Sequence, residues 1–249
     1  MNLIKINDLR KDQIERITNK YTVYQLTRDT RKEVTVGLLF LQPSTRTKYS
    51  FIAAANVLDW KYIDFNIDYM AVNKGESIID TIRMSLNYVD ILIIRSDSNN
   101  HIYQAEKIAK ESKYPKVIIN AGNGDQEHPT QALIDFYTMR KYFDPKKIKI
   151  EYFTTPKYRS KNSLEKLISL FAEKELTDTN IFYIGRGYDG VFTRERMERV
   201  SHGVKLMHPL PRTRELSPCL DDYEHSIYFE QAENAVLVRA SLLKYLWEN

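Results

Sequence analysis

The chain has almost no cysteine: Cys219 is the only one among 249 residues. A single cysteine excludes an internal disulfide framework and leaves no cysteine cluster that could hold zinc. Long apolar runs are missing as well, since none approaches the roughly 18 residues of a membrane span. The first residues, Met1 to Lys5, lack the apolar core of a secretory signal. We therefore expect a cytoplasmic protein that does not contact a membrane.

The chain also lacks a concentrated basic stripe. Its formal net charge is +4, and its lysines and arginines are scattered along the sequence. Binding to duplex nucleic acid usually needs positive charge gathered on one surface, so we expect no nucleic acid partner and favour an acidic small-molecule substrate. With 43% hydrophobic and 28% charged residues the composition is that of a globular protein, and the length favours two domains over one.

What the chain does contain is an alternation of short apolar runs with segments of helical periodicity. In the first half the predicted strands are Val34 to Leu41, Tyr62 to Ile67, Ile91 to Ile94 and Val117 to Asn120. In the second half they are Ile148 to Phe153, Ile181 to Ile184 and Val204 to Met207. Helices are predicted between them, the first from Asn7 to about Lys20 and the last from Ala240 to Trp247. This spacing predicts an α/β fold with two doubly wound parallel-sheet domains, the second unusually small.

A hydroxyl-rich turn joins the first buried strand to the helix that follows it. The turn contains Ser44, Thr45, Arg46 and Thr47. The first N–H groups of a helix lack intrahelical acceptors, and together with an arginine they form a site for an anion such as phosphate. The same hydroxyls could instead cap their own helix. The neighbouring motifs favour the phosphate site.

Further polar residues follow the next two strands. Arg95 comes directly after one of them, and His128 and Gln131 open the helix that follows the next. Ligands of doubly wound sheets bind beyond the carboxyl ends of the strands, so we expect these residues to meet the phosphate turn in one crevice. A histidine at this position could also cap its own helix, but the expected neighbours favour a ligand contact.

The second half repeats the pattern. Arg159 and Arg186 each lie past a predicted strand, where an anion contact is common, although either one alone is more often a surface residue. The last strand leads into the segment His208 to Arg212, which contains Leu210 and Pro211. Its two prolines stiffen the backbone and lack N–H donors, so its carbonyl groups can accept hydrogen bonds from a small NH2 group.

These motifs, in this order, resemble the catalytic chains of aspartate carbamoyltransferases. The resemblance covers nearly the whole chain and rests on Ser44 to Thr47, Lys74 to Glu76, Asp90 to Arg95, His128 to Gln131, His208 to Arg212 and Gln231 to Arg239. Any one of these motifs would be weak, whereas the ordered set is specific. The related ornithine enzymes carry a cysteine where this chain has Pro209, which favours the aspartate branch.

The resemblance implies transfer of a carbamoyl group from carbamoyl phosphate to the amine of L-aspartate, early in pyrimidine biosynthesis and without a metal or cofactor. It implies a carbamoyl-phosphate-binding domain at residues 1–141, completed by a C-terminal helix at 239–249, and a shortened aspartate-binding domain at 142–238. It also implies a homotrimer with shared active sites, and it leaves open whether a regulatory chain binds.

The resemblance further assigns roles to individual residues. Carbamoyl phosphate would be bound by Ser44, Thr45, Arg46, Thr47, Arg95, His128, Gln131 and the backbone of Leu210 and Pro211. The catalytic residues, which polarise the carbonyl, would be Arg46, Thr47, Arg95 and His128. Aspartate would be bound by Lys74, Arg159 and Arg186, with the lysine reaching into the site of a neighbouring chain.

Three departures from the family pattern concern the acceptor half. The stretch from Tyr142 to Val238 has only 97 residues, and the part that is missing relative to the family lies between Ala172 and Ile181. The Arg-x-Gln acceptor motif reads Arg186-Gly187-Tyr188. Met70 stands near the place of a serine in the loop that holds Lys74. Two alternatives therefore remain: a degenerate paralogue that binds carbamoyl phosphate and assembles with partner chains without turnover, and a carbamoyltransferase for another amine.

Overall fold

The computed structural model describes residues 1–19, 33–66, 75–113, 116–173, 176, 178–199 and 203–249. The predicted site residue Lys74 and the neighbouring Met70 lie outside the described residues. Within the described part of the chain, no helix is both long enough and apolar enough to cross a membrane.

The first half contains a parallel sheet in the order β2-β1-β3-β4. Its strands are β1 (Thr35–Phe40), β2 (Lys61–Phe65), β3 (Ile91–Ser96) and β4 (Val117–Asn123). In the described residues β1 has neighbours on both sides, with Val36 opposite Tyr62 of β2 and Ile91 of β3. A strand covered on both faces must be apolar on both, which explains the continuous apolar runs of β1, β3 and β4.

Helices cover both faces of this sheet. They are α1 (Lys11–Ile17), α2 (Thr45–Val57), α3 (Ile78–Tyr88), α4 (His101–Glu111) and α5 (Pro129–Met139). Successive residues of β1 pack into different cores, Leu38 into one and Leu39 into the other. The predicted doubly wound arrangement is therefore confirmed for this half.

The second half contains a smaller parallel sheet in the order β5-β6-β7. Its strands are β5 (Ile150–Phe153), β6 (Ile181–Ile184) and β7 (Lys205–Met207), and its helices include α6 (Arg159–Ile168) and α7 (Arg194–Glu198). Here too, neighbouring residues of β6 face opposite cores, with Tyr183 in the core shared with the first sheet and Phe182 in a separate one. The prediction of a second, small parallel sheet is confirmed.

The prediction for the last helix was wrong about its beginning. Helix α8 spans Tyr228–Glu248, twelve residues earlier than the expected start at Ala240. The segment before Ala240 looks polar in sequence, but Gln231 and Asn234 are buried and hydrogen-bonded to side chains of α5. These two side-chain amides can be buried because residues distant in sequence accept their hydrogen bonds. A prediction based on apolar residues alone therefore makes the helix too short.

The first predicted helix is also divided. A 3₁₀ turn occupies Ile6–Asp8, and α1 begins only at Lys11. The carboxylate of Asp8 accepts hydrogen bonds from the backbone N–H groups of Ile4 and Lys5, at 2.7 and 2.8 Å, which closes the turn before the helix. The expected end near Lys20 falls outside the described residues.

Candidate active site

A cavity of about 520 Å³ lies where the carboxyl ends of the strands of both sheets face each other. Each predicted site residue that the structure describes lines this cavity: Ser44, Thr45, Arg46, Thr47, Arg95, His128, Gln131, Arg159, Arg186, Leu210 and Pro211. Among the described residues, five arginines contribute to its wall: Arg46, Arg95, Arg159, Arg186 and Arg239. The cavity is therefore suited to ligands with several negative charges.

The phosphate turn begins helix α2. Ser44 holds the N-cap position, with extended backbone angles, but its side chain makes no capping hydrogen bond. The turn therefore does not satisfy its own orphan N–H groups in the way that the capping alternative requires. Burial, and then the charge of Arg186, lower the pKa of Arg46. An anion in the turn would meet both the helix N-terminus and this guanidinium.

Arg95 and His128 lie side by side in the buried floor of the cavity. Nη1 of Arg95 donates to the carbonyl of Ala121 at 3.2 Å and lies 3.3 Å from Nε2 of His128. Because a guanidinium has only donors, the imidazole Nε2 acts as the acceptor and the ring is neutral. Burial, followed by the charges of Arg95, Arg159 and Arg239, lowers the pKa of His128 well below its ordinary value.

The positive charge of the arginines in the cavity floor is not fully balanced by neighbouring groups. Burial, and then the neighbouring Arg159 and Arg239, lower the pKa of Arg95 to about 9. The Nε atoms of Arg95 and Arg239 are buried without a hydrogen-bond partner. A buried donor without an acceptor is costly, so a bound anion would relieve both the charge repulsion and the missing hydrogen bonds.

Gly122 makes the close approach of two of these arginines possible. It follows β4's apolar run with a φ of +114°, a backbone conformation that favours glycine. A Cβ at this position would lie 3.2 Å from Cζ of Arg159 and 3.3 Å from Nη1 of Arg95. A side chain here would force both guanidinium groups to shift by a few tenths of an ångström, and the positive φ would strain its backbone.

Helix α6 is attached along one face to the loop that carries His128. At the start of α6, Arg159 donates to the carbonyl of Gly124 at 3.1 Å and to Oε1 of Gln42 at 3.0 Å. One turn later, Oγ of Ser163 accepts the backbone N–H of His128 at 2.8 Å and donates to Glu127 at 2.5 Å. These contacts tie the position of Arg159 to that of the histidine.

The loop after β6 places Arg186 at the exposed rim. Oγ1 of Thr154 donates to the carbonyl of Arg186 at 3.2 Å. Two residues further, Tyr188 packs against Phe153 and Phe192, with ring centroids 5.5 and 5.7 Å away. The ring of Tyr188 thus contributes to the core of the second sheet, although it stands where the family resemblance places a ligand-binding glutamine.

The segment from His208 to Pro211 is fixed by its own histidine. Nδ1 of His208 accepts the N–H of Leu210 at 2.8 Å, and its Nε2 lies 3.0 Å from Oε1 of Glu215. Burial lowers the pKa of His208 to about 4, so the ring is neutral and donates to the carboxylate. The backbone of Leu210 and Pro211 is held against the cavity in this way.

Sequence reasoning did not assign a role to Arg239, Asp135 or His208. Arg239 on α8 donates to the carbonyl of Thr47 at 3.3 Å and lies 4.6 Å from the ring centre of Phe51. The sequence did contain a signal for Arg239, because it stands at the start of the apolar part of the last helix. A charged side chain that is buried at such a position needs a partner. Within the described residues, no group of three histidine, cysteine or acidic side chains is placed to hold a metal ion.

Two family models match this chain. Residues 1–141 match the carbamoyl-phosphate-binding domain of aspartate/ornithine carbamoyltransferases. Residues 184–246 match the aspartate/ornithine-binding domain of the same enzymes.

Similar proteins cover almost the whole chain. The aspartate carbamoyltransferase catalytic subunit of Haloquadratum walsbyi is 30% identical over 299 aligned positions, which cover 98% of this chain and 97% of the relative. That of Methanothrix thermoacetophila is 31% identical over 86% of each chain. The aspartate transcarbamoylase of Trypanosoma cruzi, solved with carbamoyl phosphate and aspartate, is 25% identical with a TM-score of 0.85, covering 98% of this chain and 96% of that one. Since the first alignment is longer than the 249 residues of this chain, that relative carries residues with no counterpart here.

Proposed function

This chain belongs to the aspartate/ornithine carbamoyltransferase family, and we propose that it transfers the carbamoyl group of carbamoyl phosphate to the amine of L-aspartate. The products are N-carbamoyl-L-aspartate and phosphate, an early step of pyrimidine biosynthesis. The observation that carries this proposal is that the phosphate turn lines the same cavity as Arg159 and Arg186 of the second half. The solved Trypanosoma cruzi relative that holds carbamoyl phosphate and aspartate together supports it.

The phosphate group of the first substrate binds at the start of α2. The hydroxyls of Ser44, Thr45 and Thr47, the N–H groups of the turn and the guanidinium of Arg46 supply donors around one point. Charge-assisted hydrogen bonds of this kind are about twice as strong as neutral ones. They also stabilise the extra negative charge that phosphate gains as it leaves.

The carbonyl of the carbamoyl group faces Arg95, Thr47 and His128. Attack by the neutral amine builds negative charge on the carbonyl oxygen, and preorganised donors stabilise that charge. Nη1 of Arg95 and Nε2 of His128 are only 3.3 Å apart, so one oxygen can reach both groups. This oxygen replaces Nε2 as the acceptor for Arg95, and the neutral imidazole then donates to it from Nε2 in its other tautomer. The histidine stays neutral and acts as a hydrogen-bonding group, and the departing phosphate accepts the proton of the amine. The transfer, written this way, balances without a metal or cofactor.

The NH2 of the carbamoyl group is bound by Gln131 and by the backbone carbonyls of Leu210 and Pro211. All three line the cavity. These acceptors lie on two different elements, α5 and the segment after β7, so they enclose the NH2 from two sides. This arrangement orients the carbonyl carbon towards the incoming amine.

L-aspartate binds through its two carboxylates to Arg159 and Arg186, with Lys74 completing the site. Arg159 is anchored to Gly124 and Gln42, whereas Arg186 is exposed at the rim. We place the lysine in the site of a neighbouring chain, within a cytoplasmic homotrimer. Residues 1–141 with 239–249 then form the carbamoyl-phosphate domain, and 142–238 the acceptor domain.

The direct test measures phosphate release from carbamoyl phosphate with L-aspartate, L-ornithine and other amino acids in parallel. We expect release with L-aspartate alone. A matched control is Arg83→Ala, because Arg83 is a surface arginine paired with Asp80 outside the cavity, and this variant should keep the wild-type rate. Release with ornithine but not with aspartate would overturn the proposal.

A second candidate is a carbamoyltransferase for another amine, and the packing of Tyr188 favours it. The family's glutamine contact to the acceptor is missing because this ring packs into the aromatic core. The same assay separates the two candidates, since an acceptor other than aspartate would then give the highest rate. No release with any amine, together with intact binding of carbamoyl phosphate, would indicate a degenerate paralogue that acts through partner chains.

A further inference from the structure

Asp135 is a fully buried carboxylate with no part in the reaction described above. It lies on α5, one turn after Gln131. Its Oδ1 accepts hydrogen bonds from Nε2 of Gln131 at 2.7 Å and from Nε2 of Gln231 at 2.6 Å. Its Oδ2 accepts the hydroxyl of Tyr183 at 2.8 Å. One carboxylate thus joins α5, α8 and β6 behind the cavity wall.

The first consequence concerns the orientation of Gln131. A side-chain amide has a donor end and an acceptor end. Because the NH2 end of Gln131 donates to Asp135, its carbonyl Oε1 is the end left for a ligand in the cavity, which this residue lines. An oxygen at that place accepts from an NH2 group, whereas a reversed amide would set donor against donor.

The second consequence concerns the segment after β7. Nε2 of Gln231 donates to Asp135, so its Oε1 is directed to the backbone N–H of His208, at 3.0 Å. That contact holds the start of the segment whose Leu210 and Pro211 line the cavity. Asp135 therefore influences the oxygen of Gln131 directly. It influences the backbone carbonyls of Leu210 and Pro211 through the side-chain amide of Gln231.

We propose that Asp135 is a positioning residue that orients Gln131 and Gln231 so that the cavity presents carbonyl oxygens to the NH2 of its ligand. The inference rests on the proposed function, because it takes a carbamoyl group to be the ligand. Its consequence is selectivity: a site built to accept an NH2 group rejects an analogue that lacks it, since its buried acceptors are then left unpaired.

The test compares two phosphonates of the same shape by calorimetry. Phosphonoacetamide carries the NH2 group, and acetonylphosphonate has a methyl group in its place. Burial raises the pKa of Asp135 to about 6, even though hydrogen bonds from Gln131, Tyr183 and Gln231 oppose the shift, so measurement at pH 8 keeps the carboxylate ionised. The wild-type chain should bind the amide at least about tenfold more tightly than the ketone.

The central variant is Asp135→Leu, which removes the acceptor and frees both glutamines to reverse. This variant should bind the amide and the ketone with affinities within about threefold of each other. Its affinity for inorganic phosphate should change by less than about threefold. Asp135→Asn is the conservative rescue: its amide oxygen can replace Oδ1 while its NH2 donates to the Tyr183 hydroxyl, so the preference should return.

The matched control is Tyr183→Phe, which takes a buried hydrogen bond from Oδ2 but leaves both glutamines on Oδ1. It should lower stability and keep the preference for the amide. If Asp135→Leu does not fold, Gln231→Leu tests the same link, because it removes the hydrogen bond to the His208 backbone and should reduce the preference.

The outcomes separate this inference from the proposed function. If the wild-type chain binds neither phosphonate, the carbamoyl phosphate site itself is refuted. If the wild-type chain prefers the amide and Asp135→Leu prefers it equally, only the positioning role fails. A loss of preference in Tyr183→Phe as large as that in Asp135→Leu would also overturn it, because general destabilisation would then explain both.

Discussion

The two sheets of this protein form their hydrophobic cores from different kinds of side chain. In the first sheet, β3 and β4 are buried along their whole length and are mainly aliphatic. In the second, β7 has only three residues and β5 is partly exposed. Its core is aromatic, built around Phe153, Phe182 and Phe192 with centroid distances of 4.7 to 6.1 Å. Short strands offer few inward positions, so each position must bury more area, and aromatic rings do so.

The two halves also contribute differently to the cavity. The first half and α8 supply deeply buried cations, since Arg95 is 9% and Arg239 is 2% exposed. The second half supplies Arg159, anchored across the cavity, and Arg186, exposed at the rim. Under the proposed function, binding of the first substrate relies on preorganised groups. The choice of acceptor then depends on the half that is both smaller and more exposed.

The largest effect that we expect tests the aromatic core of the second sheet. Phe192→Ala should lower the free energy of unfolding by about 3–5 kcal/mol, because the ring is fully buried and the guanidinium of Arg196 lies 4.0 Å from its centre. Urea denaturation measures the change. The control is Phe229→Ala, since this ring is 46% exposed and its loss should cost far less. Equal costs for the two variants would mean that the aromatic cluster does not hold the small sheet together.

The next effect concerns catalysis in the first half. His128→Ala should reduce kcat by about 10²- to 10³-fold, by analogy with the loss of one donor that stabilises a developing oxyanion. Steady-state kinetics with saturating substrates measure it. His225→Ala is the control, because this histidine contacts Lys205 and Glu224 away from the cavity. A covalent adduct on His128 trapped with substrate would contradict the hydrogen-bonding role.

The sequence predicts the strands and the turns of the cavity because these depend on local periodicity. The apolar run before Ser44 and the glycine-rich loop before His128 mark strand ends, and strand ends of parallel sheets converge. Gly122 illustrates the limit of this reasoning. Its place in a loop is evident from the sequence, but the two arginines that lie against it are not.

The contacts that escaped prediction are those between distant segments. Arg239 reaches Thr47 across 192 positions of the chain, and Gln231 reaches Asp135 across 96. Both polar side chains lie on a helix whose buried face is mainly apolar, so their burial can be understood only once the partner is known. The same reason explains why α8 was predicted too short.

The third prediction tests whether the acceptor half is functional. The bisubstrate analogue N-phosphonacetyl-L-aspartate should bind far more tightly than phosphonoacetamide, because joining the two halves removes the entropy cost of a second association. Arg186→Ala should remove about 1.5–3 kcal/mol of that advantage, the value of a hydrogen bond to a charged group. Calorimetry with both compounds measures it.

Arg214→Ala is the matched control, because Arg214 is a surface residue that pairs with Asp189 near the same loop. It should bind both compounds as the wild-type chain does. Equal affinity of the wild-type chain for the two compounds would show that the acceptor half does not bind aspartate.

The smallest expected effect compares two histidines that are buried in the described part of the chain, one from each half. Burial lowers the pKa of His128 well below its ordinary value, and it lowers that of His208 to about 4. Below pH 6.5 the unfolded chain binds protons that the folded chain does not, so stability is lost as pH falls through this range. Each buried imidazole should therefore lower the free energy of unfolding by about 1 kcal/mol when the pH falls from 8 to 6.

Urea denaturation of the wild-type chain, His128→Ala and His208→Gln at both pH values measures how much of the decrease in stability each imidazole causes. Each variant should be less stable than the wild-type chain at pH 8, yet it should lose less stability on acidification, because it lacks one buried imidazole. The Arg83→Ala control, which changes no histidine, should show the full wild-type decrease. If one histidine variant keeps the whole decrease, the imidazole concerned takes up its proton in the folded chain as readily as in the unfolded one. That half of the cavity is then more open to water than its packing implies.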